Sequence, residues 1–161
     1  MYEVLVYVYE NYAGGAACPD RQRLGPRLSS VGFGRDDIQQ ALHWLDGLDQ
    51  LAEGIGLPPA PALAAGSWPA APGSLRVYDA REQAQLGAGG IACLEFLEHA
   101  GALTPALREL VIERALAACD APLALHDLKL IVMMVCWRLD AQPGVLILDE
   151  LCDQAGRRAA H

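Results

Sequence analysis

Residues 125–139 read LHDLKLIVMMVCWRL, and this strongly apolar segment decides the fold. Its only basic residues are Lys129 and Arg138, and every residue from 130 to 137 is apolar. A helix that is apolar all round belongs in the interior of a protein. A buried strand over 131–135 would also suit the pattern, but fifteen residues without glycine or proline favour a helix. We therefore expect a mainly helical, all-α protein with a buried central helix.

The composition is that of a folded protein with an acidic surface. Of its 161 residues, 53% are hydrophobic and 20% are charged, which is too apolar for a disordered chain. That length suffices for one core or for two small ones. The formal net charge of −8 repels phosphate backbones and anionic lipid. Nucleic acid and membranes are therefore disfavoured partners, and another protein is favoured.

The N-terminal part predicts a three-helix module over residues 1–53. The first helix covers 2–12, where a strand over 4–9 remains the alternative, and the second covers 20–31, with Gly32 ending it. The third runs from about 36 to 53. The apolar positions that repeat with helical spacing are Val4, Leu5, Val8, Tyr12, Leu24, Leu28, Val31, Ile38, Leu42, Leu45 and Leu48. The second and third helices and their short turn are helix-turn-helix-like.

Residues 54–74 read GIGLPPAPALAAGSWPAAPGS and differ in character from both neighbours. Five prolines remove backbone donors and bias the segment to extended conformations, which predicts a Pro/Ala/Gly-rich linker. Trp68 is its one aromatic side chain. We expect Trp68 to pack on a neighbouring core, with a role as a partner anchor as the alternative.

Residues 75–161 predict a second helical module. A short strand is expected over 75–78, and Asp79 can cap a helix that Gly87, Gly89 and Gly90 interrupt. A helix over about 91–100 should bury Leu94, Phe96 and Leu97, and Thr104 with Pro105 begins another that ends near Ala118. Pro143 and Gly144 precede a last helix, with Val145, Leu148, Leu151 and Cys152 on one side.

The sequence contains no familiar catalytic pattern: there is no P-loop, no HExxH and no GxSxG. His99 follows Glu95 by one helical turn and His126 precedes Asp127, and we interpret both as surface pairs. The five cysteines lack a CxxC pair or zinc spacing with histidine, so they read as thiols. We expect no metal site, no cofactor and no enzyme activity, although a hydrolase or transferase with an unfamiliar site remains an alternative.

The one basic concentration lies in the helix-turn-helix-like segment. Arg21, Arg23, Arg27 and Arg35 follow one another with no acidic residue between positions 21 and 35. Such a face can contact phosphates or a protein partner. The favoured interpretation is a solvated face that acidic neighbours balance, chiefly Glu3, Asp20 and Asp36.

Several stretches resemble the Smg proteins of proteobacteria. They are MYEVLVYVYENY at 1–12, LSSVGFGRDDIQQALHWLDGL at 28–48, TPALRELVIERALA at 104–117, LALHDLKLIVMMVCW at 123–137 and VLILDELCDQAGRRAAH at 145–161. The resemblance covers nearly the whole chain except the proline-rich linker. It implies membership of a family whose biochemical function is unknown, so it implies no activity.

The remaining expectations concern location and role. Met1 is followed by Tyr2 and Glu3 rather than by basic residues and a long apolar run, so no signal peptide is expected. No apolar stretch approaches the length of a membrane-spanning helix, and a cytoplasmic location is predicted. The favoured function is a non-enzymatic protein-interaction module, an adaptor or regulator. The alternative is a nucleic-acid-associated protein that uses the arginines at 21–35.

Overall fold

The computed structural model of the chain describes residues 1–13, 20–54, 76–119 and 121–141, and within these ranges it contains six helices and no strand. The predicted all-α class is therefore confirmed. In chain order the helices are α1 (Tyr2–Tyr12), α2 (Arg21–Val31), α3 (Arg35–Gly54), α4 (Ala80–His99), α5 (Pro105–Ala118) and α6 (Leu125–Arg138). Trp68 and the helix predicted after Gly144 lie outside the described residues.

The chain divides into two compact units, Met1–Gln50 and Leu51–His161. The predicted module boundaries at 53/54 and 74/75 stay a prediction, because residues 55–75 lie outside the described ranges.

In the first unit, α1 is a helix rather than the alternative strand, and it buries the predicted stripe of Val4, Leu5, Val8 and Tyr12. Two ring contacts position it. The Tyr7 and Phe33 rings meet edge to face at 5.5 Å, and the Arg27 guanidinium carbon lies 5.9 Å from the Tyr12 ring centroid. Tyr12, at the end of α1, meets Arg27 within α2, whereas Tyr7, in the middle of α1, meets Phe33 just past the end of α2. The two helices therefore run in opposite directions.

The turn between α2 and α3 depends on Gly32. Its φ of +107° is in the left-handed region, where glycine carries no steric penalty. Its N–H bonds the carbonyl of Ser29, and the Phe33 N–H bonds that of Leu28 at 3.3 Å. This pair of hydrogen bonds is a Schellman motif, which satisfies carbonyls at the helix end. The predicted stop at Gly32 is confirmed.

The second unit is built around α6. Nine consecutive α6 residues, 128–136, are buried, and Ile131, Met134 and Val135 have no exposed surface. Helices α4, α5 and α6 pack against one another. The prediction that the segment 125–139 forms a buried central helix is confirmed.

Helix α4 is kinked at Gly87, where φ is +65° and ψ is 171°. The predicted interruption is thus confirmed at Gly87, but the helix resumes at Ala88 rather than near Ile91. Gly89 and Gly90 lie within it. A Cβ at Gly90 would lie 3.1 Å from Cδ2 of Leu128, so glycine at this position allows α4 and α6 to approach closely.

Residues 76–79 form no strand, contrary to the short strand suggested over 75–78, of which Leu75 lies outside the described ranges. Asp79 does cap α4, as expected. Its side chain accepts from the Glu82 N–H at 2.8 Å, and Glu82 Oε2 accepts from the Asp79 N–H at 2.9 Å. Before this capping box, Arg76 pairs with Glu82 on α4 and with Glu109 on α5, whereas Val77 is exposed.

Candidate functional site

A network of charged side chains joins the extended segment 76–79 to α4 and α5. The Arg76 guanidinium donates from Nη1 and Nη2 to both carboxylate oxygens of Glu82, at 2.7 and 2.8 Å. It also donates from Nε and Nη2 to both oxygens of Glu109, at 2.8 Å each. Each bidentate ion pair is both strong and restricted to one relative orientation of its two partners. Because Arg76 makes two of them, it fixes its own segment relative to α4 and α5.

Arg108 on α5 extends this network to the second half of α4. It donates from Nη2 and Nε to Oε1 of Glu109, at 2.8 and 3.0 Å, and from Nη1 to Oε2 of Glu98. Glu98 lies near the end of α4, after the kink. The network therefore contacts both halves of the helix.

Tyr78 lies under the network. The Arg76 guanidinium carbon is 4.5 Å from the Tyr78 ring centroid, which is a cation–π distance. The ring is buried, and its hydroxyl has no hydrogen-bond partner. Burial raises the pKa of Tyr78, since it disfavours the phenolate. The aromatic ring thus packs against the guanidinium, and its hydroxyl stays protonated at neutral pH.

The network is held in its charged form. Hydrogen bonds from Arg76 lower the pKa of Glu82, and the same bonds raise the pKa of Arg76. Burial raises the pKa of Glu109, but hydrogen bonds from Arg76 and Arg108 outweigh it, so the pKa of Glu109 is lowered overall. Glu82 and Glu109 therefore remain ionised at neutral pH, which suits a structural ion-pair network. We call the side chains of Arg76, Glu82, Glu98, Arg108 and Glu109 the charged clasp.

The half of α4 after Gly87 presents a largely apolar face to solvent. We name this surface the α4 outer face and define it by its exposed residues Ala88, Gly89, Ala92, Glu95, Phe96 and His99. The side chain of Phe96 is 56% exposed. The prediction that Phe96 is buried with Leu94 and Leu97 was wrong for Phe96. Each helical residue advances by about 100°, so Phe96 points about 200° away from the buried Leu94.

The predicted basic residues are only partly brought together. Arg23 and Arg27 are exposed one turn apart on α2, and Arg35 is exposed at the start of α3, while the side chain of Arg21 lies outside the described part. Asp36 and Asp37 follow Arg35 directly and are exposed, and Oδ1 of Asp37 lies 2.5 Å from the Met1 amino nitrogen. Arg35 therefore stands beside carboxylates, and the roles of the arginines stay a prediction.

The remaining candidates are local contacts. His126 Nε2 lies 2.7 Å from Oδ1 of Asp127, so these adjacent residues do pair. His99 Nδ1 contacts the backbone carbonyl of Glu95 at 2.7 Å, rather than its carboxylate. Burial raises the pKa of Cys136 to about 11, which keeps its thiol protonated at neutral pH.

The described residues contain neither a metal-binding cluster nor a membrane-spanning helix. No group of three or more histidine, cysteine, aspartate or glutamate residues in the described part could hold a metal ion. None of the helices in those ranges has the length and apolarity needed to cross a bilayer.

The fold and its surfaces define a class: an all-helical protein of two units, with a charged clasp and an exposed apolar helix face in the second. The chain belongs to the family described as "Protein of unknown function (DUF494)", whose profile matches residues 1–161. The resemblance to Smg proteins is confirmed by its relatives.

The relatives carry the name Protein Smg homolog. The protein from Leptothrix cholodnii is 48% identical over 162 residues and covers 100% of both chains. That from Methylibium petroleiphilum is 47% identical over 151 residues, 94% of this chain and 93% of the relative. That from Bordetella pertussis is 41% identical over 162 residues, 100% of both. No solved structure matches the chain.

Proposed function

We propose that this chain is a non-enzymatic protein-interaction module, an adaptor or regulator, and that the α4 outer face is its contact surface. The observation that carries the proposal is Phe96, more than half exposed on a helix whose other side is buried. Aromatic side chains are enriched at protein interfaces and often dominate their binding energy. Covering a phenylalanine contributes about 1.5–3 kcal/mol when burial is complete.

The surroundings of Phe96 suit this role. Ala88, Gly89 and Ala92 precede it on the α4 outer face and are small, so another chain can approach the helix backbone closely. Glu95 and His99 stand at the border of the face. An apolar centre with a polar rim is the usual anatomy of a protein interface.

The clasp supports a non-enzymatic role. The pKa values of Glu82 and Glu109 are lowered, and those of Arg76 and Arg108 are raised. A catalytic acid or base needs a pKa near the working pH, and these shifts move the groups away from it.

Affinity capture with crosslinking from the native cell tests the proposal. The wild-type chain is compared with Phe96→Asp and with Val77→Asp, which places the same charge at a side chain that is 87% exposed and lies before α4. We expect a protein partner with the wild type and with Val77→Asp, and its loss with Phe96→Asp. The complex is then rebuilt from purified components. An identical partner set for all three chains would exclude the α4 outer face.

The alternative is a nucleic-acid-associated protein that uses the basic face of α2 and α3. The exposure of Arg23, Arg27 and Arg35 around a tight glycine turn favours it. Against it, helix-turn-helix proteins read bases with the start of the second helix, and here the first turn of α3 carries Asp36 and Asp37 directly after Arg35.

Fluorescence anisotropy with single-stranded DNA, duplex DNA and RNA at about 150 mM salt separates these functions. The four arginines make at most about four phosphate contacts, each of which weakens with salt by a logarithmic slope of roughly −0.9 on duplex DNA. We expect no sub-micromolar binding. Tight binding that Arg23→Glu/Arg27→Glu abolishes would establish the alternative.

A further inference from the structure

We infer that the flank of α2 that carries Arg23, Arg27 and Val31 binds an acidic helical segment of a partner protein. This surface, which we call the α2 flank, lies in the first compact unit, whereas the α4 outer face lies in the second. The inference therefore goes beyond the proposed function, and either can fail without the other. It gives the chain a contact surface in each unit.

The three residues of the α2 flank form one continuous row. They are spaced at i, i+4 and i+8, and residues four apart are neighbours on the same side of a helix, with about 5–6 Å between their Cβ atoms. The row is about 12 Å long, because an α-helix rises about 1.5 Å per residue. Arg23 and Arg27 are exposed, and Val31 is 50% exposed. Two cations and one apolar side chain therefore meet solvent side by side.

The cations of the α2 flank are not neutralised within the part of the chain that the structure describes. Neither Arg23 nor Arg27 forms an ion pair there, and α2 itself contains no acidic residue. Asp20 lies one turn before Arg23 and forms no ion pair with it in the described part. In the second unit, by contrast, carboxylates of the charged clasp bind Arg76 and Arg108. The α2 flank thus offers guanidinium groups that can still bind a carboxylate.

Tyr12 supports Arg27 without occupying its donors. The guanidinium carbon lies 5.9 Å from the centroid of the buried Tyr12 ring, which is a cation–π distance. A guanidinium has five N–H donors, and within the described residues Arg27 uses none of them in a hydrogen bond. Because the ring contact already restricts the side chain, less conformational entropy is lost when a carboxylate binds.

Charge and spacing select an acidic helix as the occupant. A guanidinium pairs with a carboxylate through two parallel hydrogen bonds, and glutamates one turn apart on a partner helix repeat the spacing of Arg23 and Arg27. An apolar side chain one turn further along then covers Val31. A phosphate backbone would leave Val31 uncovered and would meet the repulsion of the net charge of −8. A protein segment therefore fits the row better than nucleic acid does.

A synthetic peptide tests the inference with the full chain. The probe is a labelled amphipathic helix of about five turns, with leucine on one face and glutamate at one-turn spacing beside it. The control peptide carries lysine in place of glutamate. Binding is measured by fluorescence anisotropy at about 150 mM salt, and the contact surface is mapped by amide chemical shifts.

Two variants and one matched control locate the site. Arg23→Gln removes a cation of the α2 flank, and Val31→Ser removes the apolar contact. Ala84→Glu lowers the net charge by the same amount as Arg23→Gln, at an exposed position of α4 in the second unit. We expect the glutamate peptide to bind, about fivefold weaker binding for Arg23→Gln and for Val31→Ser, and little change for Ala84→Glu.

Several results would overturn the inference. They are equal binding of both peptides, equal weakening by Arg23→Gln and Ala84→Glu, amide shifts confined to helices other than α2, or no binding at all. Binding that Phe96→Asp abolishes and Arg23→Gln leaves intact would place the peptide on the α4 outer face instead. A wild-type dimer that Arg23→Gln dissociates would assign the α2 flank to a second copy, and displacement of the peptide by single-stranded DNA would assign it to nucleic acid. Cellular capture with Phe96→Asp tests the proposed function separately.

Discussion

Arg76 and Glu82 form a bidentate ion pair at 2.7 and 2.8 Å, with the arginine just before α4 and the glutamate in the first turn of α4. Both side chains are largely buried. The pair therefore determines how the chain enters the three-helix core.

Arg76→Met should lower the free energy of unfolding of the second unit by about 2–3 kcal/mol, somewhat less than the loss of one partner from a fully buried pair. The reason is that Glu82 and Glu109 both lose a guanidinium and remain partly desolvated. Urea denaturation followed by circular dichroism measures the change. Arg23→Met at an exposed position of α2 is the control, and a change within about 0.5 kcal/mol is expected there. Equal effects of the two substitutions would show that the clasp does not stabilise the unit.

Stability should fall in acid, and Arg76 should control part of that fall. The pKa values of Glu82 and Glu109 are lowered in the folded protein from an ordinary value of 4.5. Their contribution is therefore fully present above that value and is lost as the pH falls through the folded pKa. The urea midpoint should drop between neutral pH and about pH 3, and it should drop less in Arg76→Met. An equal drop in both proteins would assign the acid sensitivity to other carboxylates.

Gly87 and Gly89 should respond in opposite directions to alanine. Gly87 has a φ of +65° and a ψ of 171°, a region essentially restricted to glycine, so Gly87→Ala should cost about 1–3 kcal/mol. Gly89 is helical and exposed, with nothing within 4 Å of an added Cβ, so Gly89→Ala should stabilise by about 0.5–1 kcal/mol. Thermal unfolding compares them. A Gly87→Ala protein as stable as Gly89→Ala would mean that the kink is not required.

Ile131→Asp should unfold the second unit, because Ile131 is fully buried in α6. An unpaired carboxylate in an apolar interior costs several kcal/mol, a large part of the roughly 5–15 kcal/mol that stabilises a domain. Val77→Asp, at an exposed position, should leave the melting temperature nearly unchanged. Wild-type stability of Ile131→Asp would place α6 at the surface.

The helices were predictable where the pattern was long or the terminal residues were specific. The apolar segment at 125–139 predicted the buried α6, Gly32 predicted the end of α2, and Asp79 predicted the cap of α4. These signals are local, since a cap or a left-handed glycine acts within one turn.

The candidate site was less predictable because it depends on contacts between distant residues. Arg76 and Glu109 are 33 positions apart, and no local pattern reveals that one guanidinium serves both Glu82 and Glu109. The prediction that Phe96 is buried was wrong because it relied on the general tendency of large apolar side chains to lie in the core. A helical-wheel comparison with Leu94 would have shown it on the opposite side.

Site-specific photocrosslinking in living cells tests most directly whether the α4 outer face binds another protein, as we propose. A photoreactive residue replaces Ala92 on that face or, as a control, the exposed Gln39 on α3 of the first unit. We expect a defined protein adduct from position 92 that Phe96→Asp abolishes, and no such adduct from position 39. If position 92 yields no protein adduct, or one that Phe96→Asp does not affect, the α4 outer face is not the contact surface.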